Sequence, residues 1–106
     1  IVKIRLDIVL PTITLKDDAI IYINFNTKYV EPGVLVANNP DEIVNAYIIS
    51  INNNTTDNII IIPILVSDNL IINETKMLLR GQYTITYSAT DSSGDNCTAS
   101  RTLIVV

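Results

Sequence analysis

Side-chain polarity in this chain repeats every second residue, and that period restricts it to extended segments. Val2, Ile4 and Leu6 alternate with Lys3 and Arg5. Ile13 and Leu15 alternate with Thr12, Thr14 and Lys16, and Ile21, Ile23 and Phe25 with Tyr22 and Asn24. Tyr83, Ile85 and Tyr87 alternate with Thr84, Thr86 and Ser88. A strand turns successive side chains to opposite faces, so one set is buried and the other is wet. The β-branched residues that dominate these runs favour the pleated backbone. The stretch from Glu74 to Leu79 is too short to stand as a helix.

Turn-forming residues separate the runs: Asp17-Asp18, Asn26-Thr27, Pro32-Gly33, Asn38 to Asp41, Asn52 to Asn58, Ser67 to Asn69, Arg80-Gly81 and Asp91 to Asn96. Strands are therefore expected at 11–16, 20–25, 33–37, 43–51, 59–66, 69–73 or 75–79, 82–90 and 97–106. About seven short strands with frequent turns indicate an all-β, antiparallel sandwich. The 106 residues suit one domain with one core. With no Trp, one Phe and five Tyr, that core must be aliphatic, with tyrosine supplying most of the aromatic bulk.

Three stretches together resemble a known family. They are Pro11-Thr-Ile-Thr-Leu15, then Thr27-Lys-Tyr29-Val-Glu31-Pro32-Gly33-Val, then Gly81-Gln-Tyr83-Thr-Ile-Thr-Tyr87-Ser-Ala-Thr-Asp91-Ser-Ser-Gly94-Asp-Asn with Ala99-Ser-Arg101-Thr-Leu-Ile-Val. They are similar to the bacterial-type immunoglobulin-like repeats found in tandem on surface and adhesive proteins, close to hyalin-repeat and PKD-like modules. The likeness spans residues 11–106 and fades from about 38 to 79. It implies an immunoglobulin-like sandwich of about seven strands. It also implies a tyrosine near the entry to the penultimate strand that bonds backbone across a corner, and Tyr83 is the candidate. Ser92-Ser93-Gly94-Asp95 reads as the hairpin between the last two strands, with Gly94 free to take positive φ. Where the family has Gly before its Thr-x-Tyr element this chain has Asn26, which tolerates the left-handed region. Residues 1–10 read as the end of a preceding repeat or a linker strand, since Ile1 to Leu6 echoes Arg101 to Val106. The alternative is an extra strand that pairs with a neighbouring chain.

The chemistry in the sequence is sparse. The absence of His removes Ser-His-Asp and Cys-His sites and the usual zinc sets. With three Gly there is no phosphate-cradling loop, and no cofactor is expected. Seven scattered Lys and Arg against eleven Asp and Glu give a formal charge of −4, which argues against nucleic acid as a partner. Cys97 is alone and cannot form an internal disulfide. No apolar run reaches the ~18 residues of a helical membrane span. Asp91 and Asp95 are the candidates for calcium, but their loop lacks the later Glu of a calcium loop and is short enough for an ordinary hairpin. Asn53, Asn54, Asn73 and Asn96 each begin an Asn-x-Ser/Thr triplet and are candidate glycan sites, in a chain whose Asn and Thr content also produces such triplets by chance.

The run Ile59-Ile-Ile-Ile-Pro63-Ile-Leu-Val66 departs from alternation. Both faces are apolar, and Pro63 marks an edge or a bulge. Ile60, Ile62 and Ile64 are the candidate interface residues, against the alternative that AT-rich codons simply enriched the chain in Ile. The expected function is a non-catalytic structural module of a larger surface, surface-layer or virus-particle protein. It would act as spacer and assembly contact, extracellular or on a cell or virion surface. Its partners would be neighbouring domains, further copies or other coat proteins, without membrane insertion. The alternative is an adhesive or carbohydrate-binding module that uses its end loops.

Overall fold

The computed structural model describes residues 10–37, 44–53, 63–67, 70–72 and 80–106. Among them the regular structure is all strand. The elements are β1 (Thr12–Leu15), β2 (Ile20–Ile23), β3 (Tyr29–Glu31), β4 (Val34–Ala37), β5 (Ala46–Asn53), β6 (Ile64–Leu65), β7 (Leu70–Ile72), β8 (Gly81–Thr90) and β9 (Asn96–Val105). No helix in this part is long and apolar enough to cross a membrane.

The strands form a five-stranded sheet in the order β2-β9-β8-β5-β6 and two pairs, β1-β4 and β3-β7. Its centre is the long β8–β9 hairpin, paired from Gly81↔Val105 to Thr90↔Asn96. The alternation read from the sequence is realised here. Tyr83, Ile85, Tyr87 and Ala89 are buried on β8, and Arg101, Leu103 and Val105 on β9. Tyr83, Ile85, Tyr87, Leu103 and Val105 join Tyr29, Ile48, Ile51 and Ile72 in one core, against which Ile13, Leu15, Ile21, Ile23 and Val34 pack. All three sheets therefore contribute to a single interior. Burying one such side chain stabilises the fold by roughly 1.5–3 kcal/mol.

Several expectations are corrected. The pairing is not wholly antiparallel: β2 lies parallel to β9, Ile20↔Thr102 through Ile23↔Val105. The cause is a change of sheet between β1 and β2. β1 pairs with β4, and the chain then crosses to the five-stranded sheet through Asp17, whose φ is 59°. A strand entering in that direction beside β9 can only be parallel to it. β3 is a strand that the alternation does not predict, since three residues are too few to show a period. At Pro32-Gly33 the chain changes partner, from β7 to β1. β5 is also not uniformly alternating. A bulge between Ile48 and Ser50 shifts the register against β8, so that Ile48 and Ile51, three residues apart, both face the core. Asn26, with φ 67°, takes the left-handed conformation expected of it. Residues 59–62 of the expected strand 59–66, the expected segment 75–79, and residues 1–9 of the proposed repeat end or linker 1–10 lie outside the described residues.

Ile51 is fully buried, so Ile51→Ala is expected to cost about 2–5 kcal/mol, read as a lower urea midpoint at unchanged slope. A loss below about 0.5 kcal/mol would place that side chain outside the core.

Candidate functional site

The inward phase of β3 and β9 carries charge where apolar residues belong. Tyr29 and Glu31 share one face of β3. Arg101 precedes Leu103 and Val105 on the buried face of β9. Glu31 is 0% exposed and Arg101 2%. Isolated charges at that depth would be strongly unfavourable, so partners are required.

The partners are present. Glu31 Oε1 accepts from the hydroxyls of Tyr29, at 2.9 Å, and of Tyr87. Glu31 Oε2 accepts from the Gly33 amide at 2.6 Å and lies 3.8 Å from Arg101 Nη2. Arg101 Nε donates to the Tyr87 hydroxyl at 2.8 Å. Its Nη1 donates to the carbonyls of Lys16 and Asp18, and its Nη2 to that of Gly33, each at 3.0 Å. The guanidinium carbon stands 5.6 Å from the Tyr87 ring centroid. Tyr87 and Arg101 are diagonal neighbours on one face of the β8–β9 ladder, which brings them within reach. One guanidinium thus ties β9 to β8, to the β1–β2 crossover and to the β3–β4 turn. Only a planar, five-donor fork can hold acceptors in so many directions.

The electrostatics follow from this geometry. Burial, followed by the neighbouring Tyr87 and Glu31, holds the Tyr29 hydroxyl protonated far above its usual range. Burial and the hydrogen bond to Glu31 do the same for Tyr87, partly opposed by Arg101. Both hydroxyls are donors to a carboxylate, and neither is poised to act as a base. The arrangement has the properties of a cross-brace. Its donors and acceptors face one another and the backbone.

The residues singled out from the sequence are placed as follows. Tyr83 is fully buried, and its hydroxyl is coupled to the Asn53 side chain across the β5–β8 ladder; burial raises it and that hydrogen bond lowers it. Asp91 is buried at the β8–β9 turn, where Oδ1 accepts from the amides of Ser93, at 3.0 Å, and Asp95, at 2.9 Å. Gly94, at φ 86°, closes that hairpin through its amide to the Asp91 carbonyl at 3.1 Å. Asp91 therefore organises a turn, and among the described residues no three acidic, Cys or His side chains converge. Asn96 is exposed, yet its Nδ2 points to three acceptors on β8: Ser88 Oγ at 2.7 Å, Thr90 Oγ1 at 2.8 Å and the Ala89 carbonyl at 3.1 Å. Ile64 pairs with Ile48 and packs against the core, while Leu65 beside it is 49% exposed. Ile60, Ile62, Asn54 and Asn73 lie outside the described residues. Burial pushes the Cys97 thiol up, away from the thiolate that nucleophilic chemistry needs.

The outer surface of the five-stranded sheet has an open depression lined by Asn45, Tyr47, Ile49, Pro63, Ser88 and Thr90. Tyr47 and Ile49 in its lining are exposed, as is Leu65 on the neighbouring β6.

No family model, curated protein or solved structure matches the chain.

Two outcomes are expected. Arg101→Met strands the Glu31 carboxylate and should cost about 3–5 kcal/mol in urea unfolding, and adding Glu31→Leu should recover part of that loss. A double variant no more stable than Arg101→Met would show that the pair is not coupled. The second outcome concerns pH. The native state keeps the Tyr29 and Tyr87 protons that the unfolded chain releases above about pH 10. Stability from these groups is therefore complete below that pH and declines as pH rises through it. The alkaline limb of the urea midpoint should be shallower in the Tyr29→Phe, Tyr87→Phe variant.

Proposed function

We propose that the chain is an immunoglobulin-like β-sandwich serving as a non-catalytic structural module of a larger surface, surface-layer or virus-particle protein. Strand placement supports the fold. β1 and β2 divide between the β1-β4 pair and the five-stranded sheet, and β3 and β4 carry the chain from β7 to β1. The three sheets share one interior. With the likeness of residues 11–37 and 81–106 to surface repeats, this favours a rigid bead that acts by spacing and contact.

The observation that carries the reading is the internal closure of the buried polar groups. Glu31, Arg101, Tyr29 and Tyr87 are engaged with one another and with loop carbonyls. Such a network holds two layers in one arrangement. Contact with further copies or coat proteins is assigned to the outer face with Tyr47, Ile49 and Leu65. An extracellular, cell-surface or virion location follows from the same likeness.

Two measurements test this. On a glycan array the chain should bind nothing reproducibly; reproducible binding to a defined glycan would replace this reading with an adhesive one. In sedimentation velocity, concentration-dependent association should weaken when Tyr47 and Ile49 are both changed to Thr. Association unaffected by that change would remove this face from the contact.

A further inference from the structure

In chain order, the first and last strands of the five-stranded sheet, β2 and β9, are neighbours and run the same way. β2 is parallel to β9, Ile20↔Thr102 to Ile23↔Val105. Tension between the two ends of the chain pulls β2 back toward residue 11 and β9 forward toward residue 106. In a parallel pair those pulls oppose each other along the ladder. The bonds from the Thr102 amide to the Ala19 carbonyl (2.8 Å), the Val106 amide to Ile23 (2.9 Å) and the Phe25 amide to Val106 (2.8 Å) are then loaded together. The β8–β9 hairpin is antiparallel and closed at Asp91–Asp95, so a load on its open ends would part its rungs one after another.

Arg101 lies one residue before the ladder on β9. Its Nη1 holds the Lys16 and Asp18 carbonyls just before β2, and its Nη2 holds Gly33, whose carbonyl also accepts from the Lys16 amide at 3.1 Å. We infer that the chain is built to carry tension from its N-terminal to its C-terminal end, with Arg101 as the staple that locks the β1–β2 crossover to β9 ahead of the sheared ladder. This inference rests on the structural-module reading, because only a domain linked at both ends meets such a load. The staple shares the strain with the ladder. It also keeps the crossover from lengthening before the ladder is engaged.

Single-molecule force spectroscopy on the full chain tests it. Held by its two ends, the protein should unfold at higher force than when held at residue 82 and the C-terminal end, which loads the open ends of the β8–β9 hairpin and parts its rungs in turn (a Gln82→Cys, Cys97→Ser variant supplies that handle). At a fixed end-to-end load, Arg101→Lys should raise the unfolding rate by about 10-fold or more, the factor carried by one strong charged hydrogen bond. Ile51→Ala, which thins the core on β5, two strands from β9, without removing a bond to the crossover, should raise it by less than about 3-fold although its loss of stability in urea is comparable. If both variants follow one line of rate against stability, Arg101 has no mechanical role. If end-to-end pulling is no stronger than peeling, the inference falls even should Arg101→Lys fail to fold. A weak shear response with a silent glycan array removes the staple and leaves the module. A strong response with defined glycan binding does the reverse.

Discussion

The arrangement of this protein depends on one desolvated cation. Arg101 sits among the side chains of the interior, where an unpaired guanidinium would be too unfavourable to persist. Its requirement for acceptors fixes where the crossover after β1 must lie, which way the turn at Gly33 presents its carbonyl, and the rotamer of Tyr87. Glu31 supplies the balancing charge and draws the Tyr29 hydroxyl and the Gly33 amide toward it. A hydrophobic residue at this position would make none of the bonds to the crossover. Buried ionic groups fix one arrangement in some systems, and here the bonds from Arg101 reach three segments of the chain.

Strand period and strand chemistry made much of the fold legible beforehand. The β8–β9 hairpin was readable to within a residue because Tyr83 to Ala89 alternate without interruption and Gly94 marks the turn. β3 was not readable, since three residues cannot display a period and Pro32-Gly33 signals a turn more strongly than Tyr29-Val30-Glu31 signals a strand. The parallel placement of β2 was hidden for a different reason. Nothing local in Ile20 to Ile23 records which strand will lie beside it; that is settled by the crossover and its distant contacts with Arg101.

Half of the brace left a trace in the sequence. Arg101 is in phase with Leu103 and Val105 on a strand long enough to show a period, so a cation falls on an inward position. Glu31 shares its face with Tyr29, but their strand is too short to announce it. A charge in the buried phase of a strand calls for a partner of opposite sign. Counting Lys and Arg as scattered surface charge concealed it. Conversely, Asp91 and Asp95 stood out as candidates for calcium, and Asp91 is occupied with the amides of its own turn. Exposed-looking acids in turns say little about ligands until their local hydrogen bonds are known.

The amide of Asn96 has a consequence for the order of events in the life of the chain. In the folded hairpin its nitrogen already faces Ser88, Ala89 and Thr90, so an enzyme that must reach that nitrogen would find it engaged. Attachment of a sugar there would have to come before β8 and β9 zip together. Once in place, the sugar would deprive the hairpin of at least one of those bonds. In a host that adds sugar at this triplet, attachment and closure of the turn would therefore compete in time.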